Sequence, residues 1–182
     1  ADADVALYLG DQRELLPQLD VDFGLVVLDP PFDQWSDCQK IDVPTVMAFT
    51  NPQRRTTVEA IYGRPRFELV WHFRDAARWV SHSGPRQSHE LILTYGPTGH
   101  AYVGPYNTAR TPQNKGRGSV GRDKLPERIY VPRERKQLNS VLQYPRNVAA
   151  ALGAWSKPLP LITTLLEWAD ADVILDPFTG SG

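Results

Sequence analysis

Cysteine is almost missing from this chain. Cys38 is the only one in 182 residues, so no internal disulfide can form, and a reducing, cytoplasmic setting is expected. The four histidines, His72, His82, His89 and His100, are scattered, and none stands with a cysteine at ligand spacing. A structural zinc site is therefore not expected, and no metal is assigned. No apolar run approaches the roughly 20 residues that span a bilayer, so no membrane partner is expected. The opening stretch "ADADVALYLGD" is acidic and too short in apolar length for a secretory leader. The dinucleotide spacing G-x-G-x-x-G is also lacking, which disfavours a nicotinamide oxidoreductase.

Net charge is nearly absent too, at −1, but it is unevenly spread. From Arg110 to Lys136 nine Lys/Arg face three acids, a net +6 that leaves −7 on the remainder. A basic loop on an acidic body suits a polyanion, with Arg117, Arg122, Arg133, Arg135 and Lys136 as candidate DNA contacts. Ordinary charge scatter on a solvated loop is the plainer alternative.

What is present is 41% hydrophobic residues in short, regular pieces. "DVALYLGD" alternates and reads as a strand ending at Asp11. "QRELLPQL" gives a helical turn interrupted by Pro17. "FGLVVLD" and "TVMAFTN" are continuous apolar runs of strand length, as expected for strands buried on both faces. "PQRRTTVEAIYG" reads as a helix with Pro52 in its first turn and Gly63 at its C-cap. "FELVWHF" and "HELILTYG" are further strands. Residues 97–145 lose apolar period and read as a basic insert between a catalytic part, 1–96, and a cofactor part, 146–182. "PRNVAAALGAW" predicts a short helix. "KPLPLITTLLEWA" predicts another, with Leu161, Leu165, Leu166 and Trp168 near one face, and "DVILD" is the last strand. Strands alternating with helices give an α/β sheet with a parallel core.

Two strand-ends carry the chemistry. In "LVVLDPPF", Asp29 ends a buried run where open α/β sheets bind ligands. Pro30 and Pro31 fix φ twice and remove two donors, and Phe32 adds a flat face. The corner is rich in acceptors and suits a planar ligand bearing an amino group, such as a nucleobase. In "VILDPFTGSG", Asp176 ends a second run, and Gly180 and Gly182 let backbone approach a ligand. A bare Asp-Pro turn and a glycine-rich turn are the structural alternatives.

Together with "LYLGDQRELLPQL", "HELILTYG" and "WSKPLPLITTLLEWADADVILDPFTGSG", these motifs resemble an S-adenosylmethionine-dependent amino-group DNA methyltransferase of the permuted class. There the catalytic motif precedes the cofactor motif. The resemblance implies a Rossmann-like sheet, mostly parallel with one antiparallel strand, circularly permuted. It implies that Asp29 and the Pro30 carbonyl accept the amino hydrogens of adenine, while Phe32, where most members have Tyr, stacks on the base. Double-stranded DNA with a flipped target base is the implied partner. S-adenosylmethionine is the implied cofactor, held by Asp11, Lys157, Pro158, Asp176, Phe178, Thr179, Gly180 and Gly182. A cytosine-N4 enzyme and a non-catalytic DNA-binding module are the rival readings. The family continues past "DPFTGSG" with a helix and a strand. The resemblance thus implies a domain truncated after the cofactor loop, with a homodimer mate or partner chain as a source of the missing elements.

Overall fold

The computed structural model describes residues 5–31, 34–35, 38–73, 87–98, 102–105, 135–146 and 156–179. Eight strands and three helices lie within these ranges. Strands β1 (Leu25–Leu28), β2 (Thr45–Thr50), β3 (Phe67–His72), β4 (His89–Tyr95), β7 (Val141–Gln143) and β8 (Ile174–Leu175) form one sheet in the order β7-β3-β4-β2-β1-β8. β4 is antiparallel to both its neighbours, β2 and β3, and the other pairings are parallel. The expected mostly parallel sheet with one reversed strand is therefore what forms. Strands β5 (Tyr102–Pro105) and β6 (Arg135–Gln137) pair separately as an antiparallel ribbon.

The apolar runs explain the layering. β2 is buried along its whole length, and β4 in all but its first residue. Side chains on a strand alternate between faces, so each run feeds two cores. One face gathers Leu25, Met47, Phe49, Trp71 and Ile92, covered by helix α3 (Leu159–Ala169) through Leu161, Leu165 and Trp168. The other gathers Val26, Leu28, Ala48 and Leu93, covered by Val58 of helix α2 (Arg55–Tyr62) and by buried Trp35. Burying a side chain such as Leu161 or Leu165 contributes about 1.5–3 kcal/mol.

The helix ends follow the sequence signals. Asn51 caps the turn Pro52–Arg54 by accepting from the Arg54 N–H at 2.9 Å. Gly63 closes α2 at φ 82°, a backbone region that favours glycine. Helix α1 (Gln12–Leu15) is short and passes at Leu16–Gln18 into a tighter turn holding Pro17.

One expected strand does not form. Residues 5–9 of "DVALYLGD" adopt no regular secondary structure, with Val5, Leu7 and Leu9 exposed. Alternation makes a segment competent for pairing, but a strand exists only beside another that receives its N–H and C=O groups. Among the described residues none does. Strand β7 lies inside the 97–145 segment yet joins the main sheet beside β3. The helix expected over "PRNVAAALGAW" lies mostly outside the described residues.

Candidate active site

Strands β1 and β8 are parallel neighbours, with Leu25 opposite Ile174 and Val26 opposite Leu175. Below them the Val173 carbonyl accepts from the Gly24 N–H at 3.0 Å, which fixes the register from the other end. Both strands run upward to an Asp-Pro step. Asp29 and Asp176 thus emerge at the same carboxyl edge of the sheet, Asp176 level with Val27 two residues before Asp29, although most of the chain separates them.

The two carboxylates differ in surroundings. Asp29 is gripped by Lys157, whose Nζ lies 2.8 and 2.7 Å from its two oxygens. Asp176 folds back on its own turn, accepting from the Phe178 N–H at 2.9 Å. Burial raises the Asp176 pKa above the ordinary aspartate range, and the Asp29 charge adds to this. The Phe178 N–H and Lys157 oppose it. Phe178 is half-buried against the Val26 and Leu28 side of the sheet, and Thr179 beyond it is exposed.

Lys157 reaches Asp29 because α3 begins just after it. Pro158 is buried at the N-cap of α3, with its carbonyl accepting from the Leu161 N–H. The Lys157 side chain is only 12% exposed. Its ammonium lies 5.2 Å from the ring centre of Phe49 and 5.9 Å from that of Trp71, within cation–π range. The resemblance groups Lys157 with the cofactor; in the structure its ammonium pairs with the Asp29 carboxylate.

A third acid completes the group. Glu90 on β4 is 3% exposed, with Oε2 3.6 Å from Lys157 Nζ and Oε1 3.4 Å from Arg146 Nη2. Arg146 in turn lies over the Phe73 ring at 3.8 Å. Burial pushes the Glu90 carboxyl above its ordinary value; Asp29 adds to this, while Lys157 and Arg146 oppose it. Neither Glu90 nor Arg146 was singled out from sequence. The signal for Glu90 was available: an acid inside an otherwise apolar strand, "HELILTY", must be paired if buried. Arg146 carries no such mark.

The remaining candidates divide. Pro30 is buried and Pro31 exposed beside Asp29, and the Pro31 carbonyl accepts from the Gln34 N–H at 2.8 Å. Asp11 is exposed and N-caps α1, accepting from the Arg13 backbone at 2.9 Å and from its guanidinium. Those bonds hold its pKa down to about 2. Among the described residues no contact joins it to the Asp29 group. Phe32, Gly180, Gly182, Arg117, Arg122 and Arg133 lie outside the described residues. Arg135 and Lys136 are described in their backbone alone, where they pair in β6 with Pro105 and Val103.

The arrangement offers an acceptor-rich corner beside a ligand-sized turn. It holds the Asp29 and Glu90 carboxylates within 4 Å of the one Lys157 ammonium. No cluster of three or more His, Cys, Asp or Glu at metal-holding distance occurs among the described residues. No helix there is long and apolar enough to cross a membrane.

No family model and no curated protein matches the chain by sequence. Among solved structures, the crystal structure of the M1.HpyAVI–SAM complex is similar, with a TM-score of 0.51. The match covers 95% of this chain and 84% of that one, at 13% identity. At that identity the likeness speaks for architecture. Taken with the strand order and the single reversed strand, the chain has a Rossmann-like α/β fold similar to that of this complex.

Proposed function

We propose that this chain transfers a methyl group from S-adenosylmethionine to the exocyclic amino group of adenine in DNA. The observation that carries the reading is the parallel pairing of β1 with β8, which brings Asp29 of "DPPF" and Asp176 of "DPFTGSG" to the same edge of the sheet. The likeness to a structure solved with SAM supports the same reading.

The residues at the β8 end fit the cofactor. Asp176 anchors the turn, Phe178 offers a half-buried ring, and Thr179 opens to solvent. These residues would hold S-adenosylmethionine together with Gly180 and Gly182, and the bound cofactor supplies an electrophilic methyl group.

The chain's own residues act on the base. An adenine amino nitrogen is a weak nucleophile because its lone pair is delocalised into the ring. Asp29 and the Pro30 carbonyl accept its two hydrogens, which localises that lone pair. The Asp29 charge then stabilises the positive charge developing on nitrogen. Holding base and donor side by side supplies much of the remaining acceleration. No covalent enzyme intermediate is needed, and Cys38 is left to packing. Extrusion of the base costs a few kcal/mol, and stacking on Phe32 returns about 1–3 kcal/mol. The basic segment around Arg117, Arg122, Arg133, Arg135 and Lys136 supplies the phosphate contacts. The class in which the catalytic motif comes first in the chain, and a place in a restriction–modification pair, belong to the same proposal.

The test is transfer of labelled methyl from S-adenosylmethionine to unmethylated duplex DNA, followed by nucleoside analysis. N6-methyladenine is the expected product. N4-methylcytosine would move the assignment to the other amino-bearing base. Unlabelled DNA would refute the methyltransferase reading.

A further inference from the structure

We propose that Lys157 is a two-station latch. Its ammonium holds the Asp29 carboxylate while no base is bound, and passes to Glu90 Oε2 when a substrate amino group takes Asp29. This rests on the proposed function and deepens it by naming a positioning residue for the same site.

The first station follows from distance. Lys157 Nζ lies 2.8 and 2.7 Å from the two Asp29 oxygens, so both are engaged and their charge is balanced. A carboxylate in that state is a poor acceptor for an amino group and a poor stabiliser of positive charge on nitrogen. Catalysis at Asp29 therefore requires the ammonium to withdraw.

Withdrawal into nothing is strongly unfavourable, because a largely buried ammonium cannot be left unpaired. Glu90 offers the alternative. Its Oε2 is buried and lacks a hydrogen-bond partner among the described residues, although it stands 3.6 Å from Lys157 Nζ. That separation is ion-pair range but too long for a hydrogen bond. A shift of about 1 Å would close it to ordinary bonding length. An orphaned acceptor inside a closed core calls for an explanation, and a station used in only one state supplies it.

The surroundings suit such a shift. Arg146 anchors the other oxygen of Glu90 from the far side, at 3.4 Å. The target of the transfer is therefore held by a second cation while Lys157 moves. The Phe49 and Trp71 rings flank the ammonium and favour a cation that is between carboxylates.

Two measurements test the latch in the full-length protein. The first is NMR of lysine labelled at Cε and Nζ, with Lys157 identified by the signal that disappears in Lys157→Met. In Asp29→Asn the Lys157 signal should shift yet remain slow to exchange with water, because Glu90 receives it. In Asp29→Asn with Glu90→Gln it should exchange with water faster than in Asp29→Asn alone. If the single and double variants give the same shift and the same exchange, the second station does not exist and the proposal is overturned.

The second measurement is methyl transfer to unmethylated duplex DNA. Glu90→Gln should lower kcat/KM for DNA by about tenfold, the scale of one charged hydrogen bond, with S-adenosylmethionine affinity unchanged. On a Lys157→Met background the same substitution should be silent, because nothing is left to be received. Defects that add instead would assign Glu90 and Lys157 a purely structural role and overturn the latch. If the wild-type protein methylates no DNA, the proposed function fails, and the NMR measurement still decides whether Lys157 has two stations.

Discussion

Val26 of β1 stands opposite Leu175 of β8 in parallel register. This pairing brings the Asp-Pro-Pro corner and the glycine-rich turn to one edge of the sheet, and from it the candidate site is assembled. Lys157, arriving from the start of α3, then ties that edge to a third element across a sequence separation of 128 residues.

The basic segment gives a prediction about DNA. Neutralising Arg133, Arg135 and Lys136 together should weaken binding to duplex DNA. It should also reduce the slope of log affinity against log salt by about 2 to 3, near 0.9 for each phosphate that is no longer neutralised. Fluorescence anisotropy at several salt concentrations checks this. An unchanged slope would remove these residues from the DNA surface.

Asp176 gives a prediction about the cofactor. Asp176→Ala removes the acceptor of the Phe178 N–H and loosens the turn that follows β8. S-adenosylmethionine affinity measured by calorimetry should fall about tenfold or more, as for loss of a hydrogen bond to a charged group. Equal affinity in the variant would place the cofactor elsewhere.

Burial raises the pKa of Glu90, which is 3% exposed, so the folded chain retains a proton that the unfolded chain has released. Stability should therefore fall as pH rises from the ordinary glutamate value of 4.5 through the raised value of Glu90. Urea unfolding across that range should show the decline, and Glu90→Gln should make it shallower. The same pH dependence in the variant would show that Glu90 does not cause it.

Gly96 tests the sheet beside the site. It follows β4 at φ 79°, and a Cβ there would collide with the Pro44 carbonyl. Gly96→Ala should cost about 3 kcal/mol or more, in the range reserved for backbone strain and steric conflict. Thermal unfolding at one pH measures it. A loss within about 0.5 kcal/mol, as at an ordinary surface position, would mean the turn is not held in this way.

Much of this was legible in the sequence because burial on both faces leaves a plain mark. "LVVL" and "TVMAFT" are continuous apolar runs, "HELILTY" is one interrupted by Glu90, and each became a strand of the main sheet. The apolar face of "LPLITTLLEWA" likewise packs as read, with Leu161, Leu165 and Trp168 buried. The misses share a cause, which is that pairing partners are not written locally. Val5, Leu7 and Leu9 alternate, but no described strand receives them. β7 has only three residues and is a strand because β3 lies beside it. Lys157 carries no sign that its partner is Asp29, and Glu90 was visible only as an acid out of place.

Asp29 permits the most direct test of the central claim. Asp29→Asn keeps the shape of the side chain and removes its charge, so S-adenosylmethionine and duplex DNA should bind as in the wild type while labelled methyl no longer reaches adenine. A drop in transfer of at least about a hundredfold, on the scale of losing a preorganised electrostatic group, is the predicted result. Near wild-type transfer by Asp29→Asn would contradict the account.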